Sequence, residues 1–205
     1  MKVPVIHCQW KKGFERAFIE HWSEVYKVTT RVNTLYDEVI GQDRFSKSDI
    51  RQLFDWKNGI PINGHRQKTA SVEAVLDKLK LVNQLKQTWD EALFKEHFGT
   101  MSAIWQIFLL NLIAPRQYPI FDQHVYRAYR FITGRVIVKK IPGSRRPQLE
   151  FYHGTYITFF NAIRPPRMPV RPVDNALWTF GRFLKSPYAP TLLVSRQFDN
   201  GVYIS

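Results

Sequence analysis

Residues 101–114, MSAIWQIFLLNLIA, are apolar on every side of a helical wheel. A helix with no polar face cannot lie on a protein surface, so it has to be enclosed by other elements. It is also too short, and too soon interrupted by Pro115, to span a bilayer. The flanking sequence supplies enclosing elements with helical period. Phe14, Ala17, Phe18, His21, Trp22, Val25 and Val28 recur at intervals of three and four after Gly13. Residues 49–56 form a short helix capped by Ser48 and ended at Asn58-Gly59, and the loop GIPINGH follows. SVEAVLDKLKLVNQLKQT is amphipathic through Val72, Val75, Leu76, Leu79, Val82 and Leu85, and WDEALFKEHF continues as a helix to Gly99. Beyond the buried helix, Asp122 opens a helix to about Ile132, stopped by Gly134; VIVKKIPG is a short strand-like patch. LEFYHGTYITFFNAIR reads as helix despite Gly154, and VDNALWTFGRFLK follows the proline-rich connector PPRMPVRP as the last helix. The expectation is an all-α chain with one irregular or strand-like insertion: a single helical domain over residues 1–185 and an irregular tail over 186–205.

The 44% hydrophobic and 15% aromatic content excludes collagen-like and disordered classes. Cys8 is the single cysteine, so one chain can form neither a disulfide nor a cysteine-built zinc or iron–sulfur site. Together with an N-terminus lacking an apolar signal core, this leads to the expectation of a cytoplasmic protein. The net charge of +13 is uneven, because residues 101–205 hold 14 Lys and Arg against four acids. A surface this basic is expected to meet nucleic acid, with an RNA- or ribosome-associated protein and a membrane-surface binder as the alternatives. No transmembrane segment is expected.

The scarcity of acids in that half makes each one a question. Asp122 follows the buried segment directly and stands among basic residues. It is either the structural cap of its helix or a functional anion, and the N–H groups of a helix start favour a carboxylate there in both cases. His124 two residues on makes an Asp-x-His pair, but two ligands without a third do not make a metal site. A nuclease would need a cluster of acids or histidines that this half lacks.

Gly99-Thr100-Met101-Ser102-Ala103, the buried helix, and then YPIFDQHVYR together resemble the helix-hairpin-helix DNA glycosylases, in particular stand-alone 8-oxoguanine-glycosylase-like bacterial proteins. The likeness extends more faintly to DIRQLFDWKN and RPVDNALWTFGRFLK. It departs from the family's pattern in a hairpin reduced to Phe98-Gly99-Thr100-Met101, with no lysine between Lys95 and Lys139. The resemblance implies that Asp122 is catalytic, stabilising the positive charge that develops on the sugar as an N-glycosidic bond breaks. Without the hairpin lysine there is no Schiff-base nucleophile, so hydrolysis without strand cleavage is implied, needing neither metal nor cofactor.

His124 and Arg127 match the motif and sit three apart on one helical face, where they brace the aspartate loop or meet phosphate. Gly99 and Ser102 either offer donors to phosphate at a helix start or serve as a plain stop and cap. Excision requires a flipped base, for which Trp178 is the expected pocket wall with Trp56 and Trp105 behind it, each of them also suited to a core. Asn63 or His65 of the INGH loop is the expected plug for the vacated stack, and Arg164, Arg167 and Arg171 are expected to track phosphates. The implied partner is double-stranded DNA with a modified base, bound by a monomer. The base is an oxidised purine such as 8-oxoguanine, or a bulky phage base such as glucosylated hydroxymethylcytosine, in which case excision serves antiviral defence rather than repair. The alternative function is a non-catalytic DNA-binding module that keeps the fold.

Overall fold

Helix ends follow from caps that the sequence encodes locally. Ser46 accepts a hydrogen bond from the Asp49 amide at 3.1 Å while the Asp49 carboxylate accepts from the Ser46 amide at 2.7 Å, closing a capping box. The cap is therefore Ser46 and not Ser48, since only Ser46 has a carboxylate three residues on. At the other end Gly59 takes φ 79°, a left-handed conformation that costs a glycine little. Asp90 caps the next-but-two helix by accepting from Leu93 N at 2.9 Å.

A computed structural model of the chain describes residues 13, 15–29, 34–62 and 66–189. Its elements are α1 (Glu15–Thr29), α2 (Leu35–Ile40), α3 (Lys47–Asn58), α4 (Arg66–Asp77), α5 (Leu79–Gln87), α6 (Glu91–Phe98), α7 (Ala103–Ile113) and α8 (Gln123–Gly134). Then come α9 (Arg145–Phe151), a π-helical turn (Tyr152–Tyr156), α10 (Ile157–Ile163) and α11 (Val170–Phe183). The protein is all-α, with no strand among the described residues. The amphipathic stretch expected as one helix from Ser71 starts earlier, at Arg66, and breaks at Lys78, whose φ −108°, ψ 24° leave the helical region.

The expected strand-like patch VIVKKIPG is an irregular loop, which corrects that part of the sequence reading. A run of β-branched residues makes a strand only where a partner edge supplies ladder hydrogen bonds. Here the carbonyls of Val138 and Lys139 accept from the Arg127 side chain instead, at 2.8 and 3.2 Å.

Contacts gather the chain into two compact units, residues 32–118 and the remainder, residues 1–31 with 119–205. In the first, α7 is the core element, with nine of its 11 residues buried. Phe54 packs on Trp105 and Phe108 at 4.9 and 5.4 Å. Buried Asn111 accepts from Tyr36 Oη at 2.7 Å and donates to the Tyr118 carbonyl at 2.8 Å, so its amide is satisfied on both sides. In the second unit α11 packs on both α1 and α8. Phe180 is fully buried against Phe18, Trp22 and Phe131. A side chain of this kind contributes about 1.5–3 kcal/mol. Gly181 is required at the α8–α11 contact, because a Cβ there would collide with the His124 carbonyl.

Candidate active site

Asp122 is the N-cap of α8. Its backbone is extended (φ −158°, ψ −174°), and its Oδ1 accepts from the amides of His124 at 2.8 Å and Val125 at 3.1 Å. The carboxylate is half-buried. Burial lowers the proton affinity of His124 and Arg127 and raises that of Tyr156, and the Asp122 charge acts upward on all three, which lie within its field.

The loop that delivers Asp122 is held at successive backbone groups. The Tyr152 hydroxyl donates to the Pro119 carbonyl at 2.8 Å, and the Tyr156 hydroxyl to the Ile120 carbonyl at 3.4 Å. The Ile120 amide donates to the buried Asp174 carboxylate at 3.1 Å. Phe121 fills the space beneath, 4.9 Å from the Tyr156 ring and 5.7 Å from that of Tyr152. Tyr152 and Tyr156 bound the π-helical turn, a local widening that recurs where a helix serves a site. Burial, then the negative charge of Asp174, lifts the Tyr156 phenol well above its ordinary value of 10. It therefore remains a hydrogen-bond donor. Tyr152 and Tyr156 escape a reading of the sequence, in which they are two aromatics of a helix. Asp174 is one of the few acids in the basic half, and that scarcity is its only signal.

Arg127 is 1% exposed. Besides Val138 and Lys139 it donates to the Gly181 carbonyl at 2.8 Å and to His124 Nδ1 at 3.1 Å. These bonds tie α8 to α11 and to the loop after α8 rather than to the loop before Asp122, and the guanidinium does not reach the surface to meet phosphate. The His124 ring lies 5.4 Å from Trp178, which also meets Tyr26 at 5.6 Å and carries the Arg182 guanidinium 5.2 Å above its ring. Two buried polar atoms on α11, Asn175 Oδ1 and Thr179 Oγ1, have no hydrogen-bond partner; they flank Trp178 in sequence.

The structure thus brings Asp122, His124, Arg127 and Trp178 together in one unit. Arg164, Arg167 and Arg171 belong to the same unit, but Arg171 lies over the Tyr26 ring at 5.5 Å and donates to its hydroxyl at 3.4 Å. Trp56 and Trp105 belong to the other unit and stack there on Tyr36 at 4.6 Å and on Phe54 at 4.9 Å. Gly99 and Ser102 are in that unit too. Ser102 occupies the N-cap position of α7 with its side chain exposed and making no cap bond, and a Cβ at Gly99 would meet the Lys95 carbonyl. Asn63 and His65 lie outside the described residues. A cleft of about 490 Å³ near Lys86, Trp89 and Arg116 contains none of the expected site residues.

Among the described residues no group of three or more His, Cys, Asp or Glu could hold a metal ion, and no helix is long and apolar enough to cross a membrane. No protein-family model, curated protein or solved structure matches this chain.

Proposed function

We propose that the protein is a monofunctional DNA glycosylase that hydrolyses the N-glycosidic bond of a flipped-out modified base. The observation that carries this reading is Asp122: a half-buried carboxylate at a helix start, on a loop clamped by Tyr152, Tyr156 and Asp174. A capping role alone does not call for that clamp, whereas a carboxylate aimed at a developing charge does. As the bond from C1′ to the base nitrogen breaks, its electron pair leaves with the base and positive charge builds on the sugar, opposite Asp122. A water oxygen then bonds C1′. One water proton passes to the carboxylate and on to the departing base, leaving an abasic site and a free base. Trp178 supports the reading as a stacking wall in the same unit, in contact with His124.

The test is Asp122→Asn on DNA carrying 8-oxoguanine or glucosylated hydroxymethylcytosine. Asparagine caps a helix as well as aspartate does, so folding is retained. Base release is expected to fall by at least about a hundredfold while duplex affinity is kept or rises. Unchanged release in the variant removes Asp122 from the chemistry, whereas no release by wild type from either DNA overturns the enzyme and leaves the non-catalytic DNA-binding module.

A further inference from the structure

The loop after α8 combines three features that nothing in the proposed chemistry uses. Val136 and Ile137 are adjacent branched aliphatics that remain 43% and 42% exposed. Around them, Arg135, Lys139 and Lys140 of the loop and Arg145 and Arg146 at the start of α9 fall within 12 residues that contain no acid, Arg146 being paired one turn on with Glu150 at 2.7 Å. The loop is also tied down: Arg127 holds the carbonyls of Val138 and Lys139 from inside the fold, and Arg135 closes α8 in a left-handed conformation with φ 55°. A single exposed aliphatic is ordinary on a protein surface, but an adjacent pair presented by an anchored, wholly cationic loop is not.

We infer that this loop is a duplex-DNA contact in which Val136 and Ile137 wedge against a base step while the flanking cations hold the backbone phosphates. The charge pattern picks the occupant. A polyanion with an apolar interior matches a cationic rim around an apolar tip, and insertion of aliphatic wedges between base steps is an established means of bending DNA. Two aliphatic side chains without an amphipathic helix are too little to hold a membrane surface by comparison. The inference rests on the proposed DNA substrate and is independent of the chemistry at Asp122. The contact uses none of the residues assigned to the base or to the chemistry, and it works by deforming the duplex from which the base must leave.

The experiment measures binding of the full chain to duplex whose only altered base is 2-aminopurine, whose fluorescence rises when its step is unstacked. Wild type is expected to raise the signal. The double variant Val136→Ser with Ile137→Ser is expected to lose that rise and to bind about tenfold more weakly, the order expected for two part-buried aliphatic contacts. Lys139→Gln with Lys140→Gln is expected to keep the fluorescence change and lower the slope of log affinity against log salt by about two. Equal affinity and signal in wild type and the serine variant overturn the inference, and base release by the same protein would leave the glycosylase reading standing. The reverse outcome, a wedge signal with no release from any modified DNA, keeps this inference and removes that reading. Vesicles of equal phosphatidylserine and phosphatidylcholine provide the control. Vesicle binding that depends on Val136 and Ile137, without duplex binding, overturns the inference in favour of a membrane contact.

Discussion

Arg127 donates to Nδ1 of His124 across 3.1 Å, and since a guanidinium has no acceptor, the imidazole is fixed with its proton on Nε2. Protonating Nδ1 would set one N–H against another. Burial first, then the charges of Arg127, Lys185 and Arg182, hold the proton affinity of His124 below its ordinary 6.5, while Asp122 opposes them. With the folded value below the unfolded one, the unfolded chain takes up the proton first as pH falls. The contribution of His124 to stability is therefore complete above the unfolded value and is lost as pH drops below it toward the folded value. Melting temperatures measured from about pH 7.5 to about pH 5.5 should fall more for wild type than for His124→Asn. Parallel curves would show that another group sets the acid sensitivity.

Arg127 itself should be costly to remove. Arg127→Met leaves the carbonyls of Val138, Lys139 and Gly181 without their charged donor, and a loss of about 3 kcal/mol or more is expected in urea unfolding. Gly181→Ala is expected to lose a comparable about 1–3 kcal/mol, since its Cβ meets backbone that cannot swing away. A loss well under about 1 kcal/mol in Arg127→Met would mean that water replaces the guanidinium at those carbonyls.

The clamp on the aspartate loop separates stability from catalysis. Tyr152→Phe removes one hydrogen bond, to the Pro119 carbonyl, and should cost about 1 kcal/mol. If the clamp aims Asp122, kcat of base release drops much more than KM rises, and Tyr156→Phe acts in the same way on the Ile120 carbonyl. A KM effect with unchanged kcat would place the tyrosines in substrate binding instead.

This clamp also marks how far the sequence could be read. The enclosed helix, α8 with Asp122 at its head, and the helix through Gly154 were all legible, because each rests on local periodicity or a cap. The partners of the loop were not. Asp174, Tyr152 and Tyr156 lie 33 to 54 residues from the groups they bond, and no periodicity encodes such a pairing. The strand-like patch failed for a related reason: β-branched residues show that a backbone is extended, but not that a buried arginine will take its carbonyls. Likewise the spacing of His124 and Arg127 gave their shared face, whereas the burial that turns Arg127 inward depends on where α11 and the loop return.

Arg167 offers a clean test of the basic surface. Its φ of 64° is a conformation in which glycine is at ease and arginine is not, so Arg167→Gly removes the charge without straining the backbone. Stability should hold or rise by up to about 1 kcal/mol. If Arg167 contacts phosphate, the slope of log affinity against log salt decreases by about one. An unchanged slope assigns the contact elsewhere. Arg171 is the poorer choice for this measurement, because it is engaged with Tyr26 and its loss would disturb packing as well as charge.

Thr179 carries a buried hydroxyl, 5% exposed as a residue, with no hydrogen-bond partner. Replacing such a group by an apolar one of the same shape removes a desolvation penalty and breaks no bond, so Thr179→Val should leave the free protein unchanged or more stable by about 1 kcal/mol. The oxygen is closed to solvent and cannot meet a base at Trp178, so base release should not respond: the valine variant keeps wild-type release while melting no earlier. A lower melting temperature would show that Thr179 bonds within the protein.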